Sequence, residues 1–176
     1  MVRPGDNAGV SLADHRAAAP TSVRCAVLTI SDTRTIETDA GGQAVVSLLE
    51  SGGHSVIARG LAQDDPCAVQ AWIQRERSRE EVDAILTTGG TGIAARDNTY
   101  EAILTMLDKP IPGFGELFRM LSYQEIGPAA MLSRACAGVS QCRIVIALPG
   151  SVNAVRLAME KLVLPELGHL VREARR

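Results

Sequence analysis

Three times between residues 23 and 107, a short apolar run gives way to a polar turn and then to a segment whose apolar residues recur at helical spacing. The runs are VRCAVLTI (residues 23–30), HSVIARGL (54–61) and DAILTT (83–88). The first is almost continuously apolar and rich in β-branched residues, which predicts a central strand covered on both faces. Each run has its helix. Ala44, Val45, Leu48 and Leu49 share one face of a segment that stops at Gly52 and Gly53. Asp65 and Pro66 form a cap and first turn before Val69, Trp72 and Ile73. A third helix carries Tyr100, Ile103, Leu104 and Leu107 and ends at the prolines of KPIPG. Such alternation favours right-handed crossovers and a mainly parallel sheet. The expected fold class is therefore α/β, a three-layer sandwich with helices on both faces. In the second half GELFRMLSYQEIG reads as a helix, while SRACAGV and RIVIALPG read as strands joined by a connection too short for a crossover. The first of these is the one short antiparallel strand. A helix over 153–163 and a last one from Pro165 complete the chain.

Length and composition set the outer bounds. With 176 residues, 46% of them hydrophobic, the chain suits one domain with a substantial core. Residues 1–22 mix Pro, Gly, Ala and polar residues without an apolar period and are expected to form a disordered tail, leaving 23–176 as the domain. No apolar run approaches membrane-spanning length and the first residues lack the layout of a secretory signal, so a cytoplasmic protein with no membrane partner is expected. A formal net charge of −2 offers nucleic acid no broad basic face. The four cysteines, Cys25, Cys67, Cys136 and Cys142, show no metal-finger spacing and read as reduced core thiols.

The segment ILTTGGTGIAARDNTYEAI stands where ligands of open α/β sheets collect, at the carboxyl end of a strand and before a helix. Gly89, Gly90 and Gly92 clear side chains from backbone N–H donors, and Thr91 adds a hydroxyl, which together suit a phosphate. The segment is neither a Walker A loop nor a dinucleotide fingerprint. A tight turn needing positive φ angles is the alternative. Asp97 beside such a cradle calls for a cation, and Mg2+ is the natural one because it shares carboxylates with substrate phosphates. Asp97 as a helix cap is the competing reading. Asp64, in the loop after the second strand, is a second metal candidate, and Asp65 its neighbouring cap. Ser31 and Asp32 end the first strand and face the same rim.

The segments TTGGTGIAARD, PGFGELFRMLS, AMLSRACAG and LPGSVNAV, in this order, resemble the signature segments of the MoaB/MogA family of molybdenum cofactor biosynthesis proteins. The likeness extends from about residue 23 to 169. It implies a compact α/β sandwich assembled as a homotrimer or hexamer, and a molybdopterin adenylyltransferase that uses ATP and magnesium. By the same resemblance the family's functional acids fall on Asp64 and Asp97, which would be both catalytic and metal-binding. Pro149, Gly150, Ser151 and Asn153 would form a further substrate-facing loop, and Ser133 a pterin contact. Hand-over of product to a molybdenum insertion protein is also implied. Asn98 and Tyr100 stand where the family often has Val and Pro, Val152 where it often has Pro, and Gly41 where Ser is common. Two other activities compete: a molybdopterin carrier without turnover, and a nucleotide-pyrophosphate hydrolase.

Overall fold

The computed structural model describes residues 19–176. Six strands form one sheet in the order β2-β1-β3-β6-β5-β4. They are β1 (Arg24–Ile30), β2 (Ser55–Ala62), β3 (Ala84–Gly89), β4 (Lys109–Pro110), β5 (Cys136–Ser140) and β6 (Arg143–Leu148). The β2–β1, β1–β3 and β3–β6 pairs are parallel, while β5 runs antiparallel to both of its neighbours. The helices are α1 (Ala40–Ser51), α2 (Pro66–Arg77), α3 (Thr99–Thr105), α4 (Pro112–Ile126), α5 (Val152–Ala158) and α6 (Leu164–Ala174).

Strand pleating sorts the core into two layers. Cys25, Val27, Ala84, Leu86, Ile144 and Ile146 face α1, α4, α5 and α6. Ala26, Leu28, Ile85 and Val145 face α2 and α3 through Val69, Ile73 and Ile103. Alternate residues of each central strand are thus buried on opposite sides, which is why no charged residue stands inside these strands beyond their first positions. The expected three-layer α/β sandwich is the observed one.

The chain leaves β1 toward β2 on one side and returns to β3 on the other. The carboxyl ends of β1 and β3 therefore flank a topological switch point, where neighbouring loops diverge and leave a crevice. Everything the site needs follows from this.

Some expectations require correction. The helices expected over 153–163 and from Pro165 are one continuous rod, because α5 passes into α6 through a π-helical turn, Met159–Val163. The Leu164 N–H reaches back five residues to the Met159 carbonyl. This wider turn makes room for Pro165, which lacks an N–H and would crowd a regular turn. Helix α4 starts earlier than expected, with Pro112 in its first turn. The two-residue edge strand β4 has no period to read, and Pro110 suits an edge. Cys25 and Cys136 are buried thiols, but Cys67 and Cys142 are exposed. Cys142 and Gln141 form the β5–β6 turn with φ of 61° and 47°, the positive values that a tight hairpin turn demands. Most of the expected tail, residues 1–18, lies outside the described residues.

Candidate anion and metal site

The loop after β3 is shaped by two glycines with positive φ, Gly89 at 94° and Gly90 at 64°. A β-carbon on Gly89 would collide with the Ile30 carbonyl at the end of β1, so only glycine fits there. The N–H groups of Thr91, Gly92 and Ile93 donate to no protein acceptor among the described residues. Such a row of free donors has the chemistry of an anion cradle. The glycines thus serve the turn and leave those donors unobstructed.

Three acids approach this loop from three strand ends. A β-carbon added at Gly90 would stand 3.3 Å from Asp64 Oδ1, and one added at Gly92 would collide with the Asp97 carboxylate. Asp32 joins them: its Oδ1 accepts from the Asp64 N–H at 2.9 Å. Ser31 Oγ accepts from the N–H groups of Thr33 and Arg34 at 3.3 and 3.2 Å, bracing the β1 loop. Asp97 does not cap α3. Asn98 holds the cap position without a side-chain bond, and Asp97 Oδ2 accepts from the Ala94 N–H at 2.8 Å inside its own loop. Asp65 caps α2 as expected, accepting from the Ala68 N–H at 2.7 Å. Arg96 extends into solvent between Asp32 and Asp97, at 3.8 and 3.9 Å.

Asp64 Oδ1 is buried and has no hydrogen-bond partner among the described residues. A carboxylate oxygen shielded from water and left unpaired is costly unless something binds it. The described residues contain no cluster of three or more His, Cys, Asp or Glu side chains fit to hold a metal. Two acids from two neighbouring loops, with the remaining positions left to water and substrate oxygens, fit Mg2+ better than a metal caged by protein.

The adjoining loop, residues 149–151, touches the glycine loop, since a β-carbon on Gly150 would stand 3.3 Å from the Gly89 α-carbon. Thr88 Oγ1 donates to the Pro149 carbonyl at 2.9 Å, and Arg34 Nη1 to the Gly150 carbonyl at 3.2 Å. Ser151 is the cap of α5, accepting from the Ala154 N–H at 3.3 Å. Ser133, Pro149, Ser151 and Asn153 line one groove of about 370 Å3 with Glu125 and Leu132. The loop over residues 149–151 therefore lies between this groove and the glycine loop.

Two features escaped the sequence reading. Asp39 is buried at the start of α1, accepting from the Gly42 N–H at 2.8 Å, from Thr29 Oγ1 at 2.5 Å and from Arg59 Nη2 at 3.2 Å. Its pattern is that of any cap, and only the fold shows how many partners converge on it. Arg134 reaches the carbonyls of Thr91 and Gly92, 43 and 42 positions away in sequence. Nothing local to either segment signals that contact.

The family model of the probable molybdopterin binding domain matches residues 26–169. Molybdenum cofactor biosynthesis protein B of Halalkalibacterium halodurans is 52% identical over 165 residues, covering 93% of this chain and 97% of its own. Its counterpart in Bacillus subtilis is 51% identical over 168 residues, covering 95% and 99%. Among solved structures, a molybdenum cofactor biosynthesis protein B superposes with a TM-score of 0.87 at 53% identity, covering 90% of this chain and 99% of that one. The tungsten cofactor synthesizing protein MoaB from Pyrococcus furiosus gives 0.79 at 36% identity, with 90% and 100% covered. The chain belongs to the probable molybdopterin binding domain family, that of the MoaB/MogA molybdenum cofactor biosynthesis proteins.

Proposed function

We propose that the protein transfers the adenylyl group of ATP to molybdopterin, releasing pyrophosphate, as a step of molybdenum cofactor biosynthesis in the cytoplasm. The observation that carries this reading is the unpartnered, buried Asp64 Oδ1 set against a loop of free N–H donors. Acid and anion cradle in contact make sense when phosphates and a cation are bound together.

The groove lined by Ser133, Pro149, Ser151 and Asn153 holds the pterin, with its terminal phosphate directed to the adjoining glycine loop. A phosphate oxygen of the pterin attacks the α-phosphorus of ATP. The new P–O bond forms as the bond to the β-phosphate bridging oxygen breaks, and pyrophosphate leaves with the electron pair. Most of the protein's work here is positioning and electrostatic stabilisation. The N–H groups of Thr91, Gly92 and Ile93 hold phosphate oxygens by donating to them, and Ser151 and Asn153 orient the pterin end. Mg2+ held by Asp64 and Asp97, when bound, neutralises phosphate charge. The protein acts as a homo-oligomer and hands its product to a molybdenum insertion protein.

The test is incubation of the purified protein with molybdopterin, ATP and magnesium. Adenylyl-molybdopterin and pyrophosphate should form together, and Asp97→Asn should lower the rate roughly 100-fold, the loss typical of removing one transition-state-stabilising group. Tight molybdopterin binding without turnover would make the protein a carrier instead. Pyrophosphate release that ignores the pterin would make it a hydrolase.

A further inference from the structure

We infer that Arg134 is the positioning residue of the anion cradle, acting through the backbone of the glycine loop and held in place by the ring of Tyr100. This rests on the reading of that loop as a phosphate cradle. Arg134 lies just before β5, on a different segment from the loop it controls.

All branches of its guanidinium are committed. Nε donates to the Thr91 carbonyl at 3.0 Å, Nη2 donates to the Gly92 carbonyl, and Nη1 pairs with Glu101. The guanidinium carbon sits 4.4 Å from the centroid of the Tyr100 ring, in cation–π range. Tyr100 is itself half-buried, and its hydroxyl donates to the Ala135 carbonyl at 3.4 Å.

Peptide planarity supplies the consequence. In a trans peptide the carbonyl and the following N–H point in opposite directions. Holding the Thr91 and Gly92 carbonyls toward Arg134 therefore turns the N–H groups of Gly92 and Ile93 away from it, and neither has a protein acceptor among the described residues. A peptide flanked by glycine is otherwise free to flip, which would present a carbonyl oxygen to the ligand in place of an N–H. Since Glu101 already balances the Arg134 charge, the residue works by orienting dipoles more than by attracting phosphate. A lysine keeps the charge but cannot grip two carbonyls in a fixed fork. The ring of Tyr100 is the face against which the guanidinium lies flat.

The test uses the full chain with magnesium pyrophosphate as the probe. Its affinity is measured by calorimetry, the Gly92 and Ile93 amides are followed by 15N NMR, and melting temperature serves as the control for folding. Wild type should bind pyrophosphate with shifts at both amides. Arg134→Ala and Arg134→Lys should bind at least tenfold more weakly and lose those shifts, with ATP KM rising more than kcat falls. Tyr100→Phe should match wild type and Tyr100→Leu should follow the Arg134 variants. Arg134→Ala binding within twofold of wild type, with both amides still shifting, would overturn the assignment. If that variant does not fold, equal affinities in Tyr100→Phe and Tyr100→Leu would overturn it instead. Wild-type protein showing neither binding nor shifts would defeat the cradle reading itself.

Discussion

Asp39 and Asp97 are both carboxylates that stand just before a helix, yet their surroundings give them opposite work. Asp39 has no exposed side-chain surface and gathers Thr29, the Gly42 N–H and Arg59, with Arg34 3.9 Å away. Removing it strands several donors in the interior, although the two arginines retain some access to water. Asp39→Ala should destabilise the fold by about 3 kcal/mol, the low end for breaking a buried ion pair. Asp97 keeps 17% of its side chain exposed and satisfies one N–H, that of Ala94. Its removal should cost about 1 kcal/mol. Urea denaturation of the two alanine variants, compared with their adenylyl transfer rates, separates the roles. A stability loss at Asp97 as large as that at Asp39 would make Asp97 a structural brace and remove the case for a metal ligand.

At the scale of elements, the join between α1 and β2 carries a titratable fastening. His54 Nδ1 accepts from the Val23 N–H at 3.2 Å, tying the start of β1 to the turn before β2. That nitrogen must be unprotonated to accept, and burial holds the imidazole pKa below its ordinary value. A depressed folded pKa means that the unfolded chain binds the proton more readily. The stability is present above the unfolded value near 6.5 and is lost as pH falls through the lower folded one. The urea midpoint should therefore drop between pH 7.5 and pH 5.5, and His54→Gln should lose most of that drop. An equally steep decline in the variant would free His54 of the role. Legibility in the sequence followed burial. Strands β1, β3 and β6 were visible because both faces are covered and, after the leading Arg24 and Arg143 of β1 and β6, every residue is apolar or small. Strand β4 was not, being two exposed residues long. The α5–α6 rod was misread because Pro165 signals a start, while the π turn that accommodates it has no sequence signature of its own. In the site, Asp64, Asp97 and the glycines showed by residue type and place. Arg134 did not, because it acts on backbone carbonyls that every sequence possesses.

Across the whole molecule, apolar exposure is concentrated in one region. Leu117, Met120, Tyr123, Ile126, Met131 and Leu132 are 48 to 79% exposed, and all lie between positions 117 and 132. On α4, Leu117, Met120 and Tyr123 recur every third position, so they form a stripe along the helix, and the 3-10 turn Gly127–Leu132 extends it. Singly scattered apolar residues need no explanation, but a contiguous patch marks a surface that another molecule covers. A second copy is the occupant that the proposed homo-oligomer supplies. Ile126 and Leu132 also line the groove that holds Ser133 and Asn153, so covering the patch would wall off one side of the proposed pterin groove. Sedimentation velocity at micromolar concentration should show an oligomer, the trimer or hexamer that the family resemblance implies. Introducing Leu117→Glu and Met120→Glu together should yield monomers, because each charge would have to be buried unpaired on association. Their melting should remain cooperative, since both side chains point away from the core. The same variant should bind molybdopterin more weakly while retaining pyrophosphate binding at the glycine loop. Wild-type protein sedimenting only as a monomer would show that this patch is not a self-association surface.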